Sequence, residues 1–114
     1  MGVAGGHGLE KSSAESVCRF DELAAVAGAA RKIMFGCPVY ELHGERYALL
    51  HEDRVVLRLS PKDAARLIAE GGRVFEPIKG RPRPGRIVVP KTVAANTPSL
   101  KIWIRRAVRY IDPT

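Results

Sequence analysis

The stretch "VYELHGERYALLHEDRVVLRL", residues 39–59, decides the fold. Val39 to Leu42 reads as a strand, "HGE" as a turn, and Arg46 to His51 as a second strand. Gly44 supplies the positive φ that a tight hairpin requires. A turn at Glu52-Asp53 then leads into Arg54 to Leu59, which alternates cleanly. Val55, Leu57 and Leu59 share one face of that strand, and Arg54, Val56 and Arg58 share the other, so one side meets a core and the other is at least partly wet. Consecutive hairpins of this kind require an antiparallel sheet.

Outward from this block the signals turn helical. Residues 15–30 place Phe20, Leu23, Ala24 and Ala27 at i, i+3, i+4 and i+7, an amphipathic helix weakened at its end by Gly28. "SPKDAARLIAEGG" carries a full helix grammar: Ser60 caps, Pro61 suits the first turn, Asp63 completes a capping box and Gly71-Gly72 stop it. Ala64, Leu67 and Ile68 form its apolar stripe. "RVFE" at 73–76 is a short strand, the Pro- and Gly-rich residues 77–85 a loop, and "RIVVP" a further strand closed by Pro90. Thr97 caps and Pro98 opens a last helix to about Ile111, with Leu100, Trp103, Ile104, Ala107 and Ile111 as its buried stripe. The predicted order is α-β-β-β-α-β-β-α, an α+β fold of two layers, with helices on one face of a five-stranded antiparallel sheet. No internal repeat is visible. Residues 1–14 are expected to be a flexible tail and residues 15–112 a single domain.

The 114 residues carry 46% hydrophobic and 27% charged side chains, the mix of a soluble globular domain, and no apolar run approaches the ~20 residues of a membrane span. "MGVAGGHG" has neither a charged head nor an apolar core, so no secretory signal is expected and the cytoplasm is the expected compartment. The formal net charge is +7 and unevenly spread. Residues 1–77 hold 10 Lys or Arg against 11 Asp or Glu, whereas residues 78–114 hold 9 against 1. Such asymmetry suits an anionic partner, and equally a solvated basic face. Lys101, Arg105 and Arg109 recur every four residues on the last helix, away from its apolar stripe, and Lys79, Arg81, Arg83 and Arg86 lie in the preceding loop and strand. Guanidinium groups pair well with phosphates, but Trp103 falls on the buried stripe with Tyr110 beside it, which leaves no aromatic for base stacking, so nucleic-acid contact would be backbone-directed and weakly specific.

Cys18 and Cys37 form no Cys-x-x-Cys pair, and His7, His43 and His51 supply no zinc spacing; neither a metal nor another cofactor is expected. Cys37 with His43 or His51 is the nearest approach to a nucleophile and base, without a recognisable nucleophile signature around it, so an enzyme is not expected. Glu41, Glu45, Glu52 and Asp53 read as solvated charges at strand ends and turns.

In order along the chain, "RKIMFGCPVYELHGERYALL", "RVVLRLS", "AEGGRVFEPIKGRP", "IVVP" and "LKIWIRRAVRY" resemble the N-terminal domain of TfoX/Sxy proteins, from roughly Phe20 to Tyr110. The resemblance implies a two-layer fold related to the secretion-chaperone-like group, and a relation to regulators of bacterial competence and of transcription. Within its motif, Met34 and Phe35 read as apolar anchors of a helix-to-strand connection, Gly36 as a tight backbone path, and Trp103 as the core residue of the last helix. The leading expectation is a small regulatory or protein-interaction module, similar to that domain standing alone, whose partner belongs to the transcription machinery and for which a homodimer is compatible. The alternatives are a nucleic-acid-binding accessory protein that uses the basic last third, and a thiol-dependent enzyme at Cys37.

Overall fold

A computed structural model describes residues 12–113. The flexible tail expected for residues 1–14 falls, up to residue 11, outside the described residues. Four helices, α1 (Ala14–Ala24), α2 (Pro61–Ala69), α3 (Lys91–Ala95) and α4 (Thr97–Ile111), accompany six strands. The strands are β1 (Ala30–Met34), β2 (Cys37–Leu42), β3 (Glu45–His51), β4 (Arg54–Arg58), β5 (Arg73–Ile78) and β6 (Arg81–Val88). Together they form one antiparallel sheet in the order β1-β2-β3-β4-β6-β5. The sheet thus has six strands where the sequence pattern indicates five.

The additional strand is β1. The first helix stops at Ala24, and Gly28 takes φ 85°, so "ARKIM" runs extended along the sheet edge, paired only with β2. An edge strand has few buried positions, and four of these five residues are exposed, which erases the alternation that marks a strand in sequence. Met34 and Phe35 are consequently not core anchors. Met34 ends the strand half-buried, while Phe35 is fully exposed and forms the β1–β2 turn with Gly36. Both turn residues have positive φ (52° and 80°), the signature of a type I′ hairpin, as do His43-Gly44 and Glu52-Asp53 at the next two turns. Gly36 does provide the tight path expected of it.

The supposed loop at 77–85 is largely strand. Lys79-Gly80 is its only turn, and β6 resumes at Arg81. Proline survives there because residues 81–84 pair only with β5; the Gly85 carbonyl accepts from the Leu59 N–H, and β4 itself joins β6 from Arg86 onward. Short helix α3 was not anticipated, and α4 is capped by Asn96, whose side chain accepts from the Ser99 N–H, rather than by Thr97. At α2 the cap holds, since the Ser60 side chain accepts the Asp63 N–H at 3.2 Å, but the Asp63 carboxylate bonds Arg106 instead of completing a capping box. Ile68, however, is 42% exposed and stands outside the core cluster.

Every helix packs on one face of the sheet. Phe20 and Ala24 of α1, Leu67 of α2, and Leu100, Trp103, Ile104 and Ala107 of α4 meet Tyr40, Leu50, Leu57 and Ile87 of the strands in one buried core. Polar links fasten α1 to it. The Tyr47 hydroxyl donates to the Ala24 carbonyl at 2.6 Å, and Arg31 Nε and the Tyr40 hydroxyl both donate to Asp21 Oδ1 at 2.8 Å. Burial pushes the Asp21 carboxyl up, but those two donors and the Arg31 charge outweigh it and hold the group below its ordinary value.

Candidate interaction surface

The other face of the sheet carries no helix. Cross-strand register lines up two rows of side chains on it. The first row is apolar: Val39 opposite Leu49, Leu49 opposite Val56, and Val56 opposite Val88. Phe75 packs against Val56 and Val88, with the His51 ring edge-on at 5.2 Å. Val39, Val56 and Val88 are buried even though no second layer lies over them. Arg46, Arg58 and Arg86 line a shallow groove over Leu49 and Val56, and long arginine stems cover apolar floors in this way while their heads stay in water.

The second row is charged: Glu41 opposite Arg46, and Arg58 opposite Arg86, with Arg83 beyond. Glu41 is not the solvated strand-end carboxylate that its position in the sequence suggests. It is only 8% exposed, and accepts Lys32 Nζ at 3.0 Å and, more loosely, Arg46 Nε at 3.6 Å. Arg58 Nη1 pairs with Glu45 Oε1, and its guanidinium also sits over the Tyr110 ring. Arg86 differs from both neighbours. It is half-buried and makes no side-chain hydrogen bond or ion pair with any described residue. Burial and the charges of Arg58, Arg46 and Arg83 all push its pKa below the ordinary arginine value, with only Glu45 opposing. It stays protonated regardless, because arginine starts so far above neutrality.

The seven basic residues singled out in the sequence fall on two surfaces. Lys79 sits in the β5–β6 turn, and Arg81, Arg83 and Arg86 lie on β6, with Arg86 and Arg83 towards the helix-free face. Lys101, Arg105 and Arg109 are exposed on α4, which packs on the opposite face of the sheet; Ile102 and Tyr110 are exposed beside them, so Tyr110 does not share the burial of Trp103. Arg106, their neighbour, is engaged: it pairs with Asp63 at 3.0 Å and lies over the Trp103 ring. Arg46 and Arg58 complete the helix-free cluster, although the sequence balance around them is slightly acidic. The alternation of β4, which turns Arg58 away from the core, is the signal that leads to them.

Among the described residues, no hydrogen bond joins Cys37 to His43 or His51. Cys37 begins β2, while His43 lies past its other end and bonds Asp112 at 3.1 Å. His51 packs on Phe75. The Cys37 thiol is half-buried, faces the Phe35 carbonyl at 3.9 Å, and is pushed up by burial and the Glu52 charge, which disfavours the reactive thiolate. Cys18 is exposed. Among the described residues no group of His, Cys, Asp or Glu could hold a metal ion, and no helix is long and apolar enough to cross a membrane.

The sequence model of the TfoX N-terminal domain matches residues 21–111, most of the chain. The chain belongs to the TfoX N-terminal domain family. No match was found among curated proteins or among solved structures. The matched span of the TfoX N-terminal domain begins inside α1 and ends with α4, so it takes in both layers and both basic surfaces. Within it, Met34-Phe35-Gly36 is a projecting hairpin tip, whereas Trp103 is buried in the helix-covered core.

Proposed function

We propose that this TfoX N-terminal domain is a regulatory protein-interaction module, without catalytic activity of its own, that binds a protein partner through the helix-free face of its sheet. The observation that carries the reading is the contrast between faces: one is closed by helices, while the other presents an arginine cluster that its own carboxylates only partly neutralise. Arginine is enriched in protein interfaces and among their energetically dominant residues. By kinship with regulators of competence and transcription, the partner is a component of the transcription machinery and the compartment is the cytoplasm. The elevated Cys37 thiol and its separation from His43 support a binding role over a thiol-dependent one.

A second reading has its own support. Lys101, Arg105 and Arg109 form an exposed stripe on α4 that suits a phosphate backbone, and non-specific duplex complexes of this kind typically have a Kd on the order of 10⁻⁴–10⁻⁶ M. Capture of partners from native lysate, with nuclease treatment in parallel, separates the two. Partners that survive nuclease support the protein-binding module, and partners that disappear support nucleic-acid binding.

A further inference from the structure

We infer that the groove bounded by Arg46, Arg58 and Arg86 is a recognition site for an acidic segment of a protein partner, in which Arg86 receives a carboxylate and Leu49 meets the adjoining apolar side chain. This inference rests on the protein-binding reading and specifies its chemistry.

The groove is already built. Strand pairing sets Arg58 beside Arg86, and Leu49 beside Val56, so guanidinium groups and apolar floor are positioned by backbone ladders rather than by mobile loops. Arg46 and Arg58 have partners in Glu41 and Glu45; Arg86 has none among the described residues. Three like charges surround a half-buried guanidinium, an arrangement that costs folding energy until an anion arrives. A carboxylate suits the fork geometry of arginine, which accepts it through paired hydrogen bonds. Leu49 is the apolar floor residue that remains partly accessible, while Val56 beside it is buried.

The arrangement favours a short segment that alternates carboxylate and apolar side chains over a nucleic-acid strand. A phosphate backbone crossing this row would meet Glu41 and Glu45 as well as the arginines. Phe75 on this face is 9% exposed with the His51 ring edge-on against it. The exposed Tyr110 ring lies under Arg58 from α4, so a strand in the groove would meet no row of rings for successive bases. A second copy of the chain would bring an equally basic face against this one, at the cost of like-charge repulsion.

Fluorescence anisotropy on the full chain tests the site, with labelled alternating Glu–Leu and Gln–Leu peptides and a mixed-sequence duplex DNA as probes. Wild type is expected to bind the Glu–Leu peptide at least roughly tenfold more tightly than the Gln–Leu peptide. Arg86→Gln is expected to weaken Glu–Leu binding by about tenfold or more without lowering the melting temperature, and Lys101→Glu/Arg105→Glu to leave it unchanged. The proposal is overturned if wild type fails to bind the Glu–Leu peptide up to about 1 mM, or if Arg86→Gln binds it as well as wild type does. Duplex DNA held more tightly than the peptide and released by Arg86→Gln would assign the groove to nucleic acid instead. Self-association lost in Arg86→Gln would assign it to a second copy. The broader reading fails separately: partners that survive nuclease and are captured equally by wild type and Arg86→Gln refute the groove alone, whereas no surviving partner refutes the module.

Discussion

The two faces of the sheet solve opposite problems with the same strands. On the helix-covered face, Leu57 and Ile87 are neighbours across β4 and β6, fully buried in the core they share with Leu67, Trp103 and Ile104. One residue further along each strand of that pair, the side chains turn over and Arg58 faces Arg86. The first pairing is stabilising because it removes apolar surface from water. The second places like charges directly opposite, which is destabilising in a sheet. The pair closes the β4–β6 ladder, where Glu45 offsets Arg58 while Arg86 has no such partner among the described residues, so Arg86 is not there to stabilise the sheet by pairing.

The largest expected effect lies on the covered face. Trp103→Ala should cost about 3–5 kcal/mol in equilibrium denaturation, because a buried indole leaves a cavity that its neighbours fill only in part. Arg105→Ala, exposed on the same helix, should change stability by no more than about 0.5 kcal/mol. Equal losses from the two would dissolve the distinction between core stripe and basic stripe on α4.

Tyr47→Phe comes next. It removes a donor from the buried Ala24 carbonyl and should cost about 1–2 kcal/mol. Burial and the neighbouring Tyr40 raise the Tyr47 hydroxyl from its ordinary 10.0 to about 12. Its folded pKa therefore exceeds its unfolded one, so its share of stability is fully present below pH 10 and is lost as the pH rises towards about 12. Denaturation curves across that window should fall less steeply for Tyr47→Phe than for wild type.

A smaller effect of opposite sign is expected at the β1–β2 tip, which belongs to neither face. Phe35 is fully exposed with φ 52°, a conformation that a bulky residue adopts only with strain. Phe35→Asn creates an Asn-Gly turn and should stabilise the domain by about 0.5–1 kcal/mol, read as an upward shift in denaturation midpoint. A loss of stability would restore Phe35 as an anchor.

Much of this architecture was legible in the chain. The β4 alternation, the Ser60 cap and the Trp103 stripe were readable because each is a local pattern whose period or spacing survives folding. The edge strand β1 was not, since an edge position buries too little to leave a period of two, and its Phe35-Gly36 turn lacks the usual Asn or Asp. Nor was the β5–β6 hairpin, where three prolines read as a loop until one-sided pairing is known. The arginine groove was visible only in parts. Arg86 stood out through the basic last third, but its neighbours Arg46 and Arg58 come from strands far away in sequence, and register alone brings them together.

The most direct test of the division between the faces is the unfolding free energy of Arg86→Gln, measured by urea denaturation beside wild type. Removing an unpaired charge from among Arg46, Arg58 and Arg83 should leave stability unchanged or raise it by up to about 1 kcal/mol, with an unaltered denaturant slope. A loss of more than about 1 kcal/mol would contradict it. Arg86 would then be holding the sheet together, and the helix-free face would be as structural as the covered one.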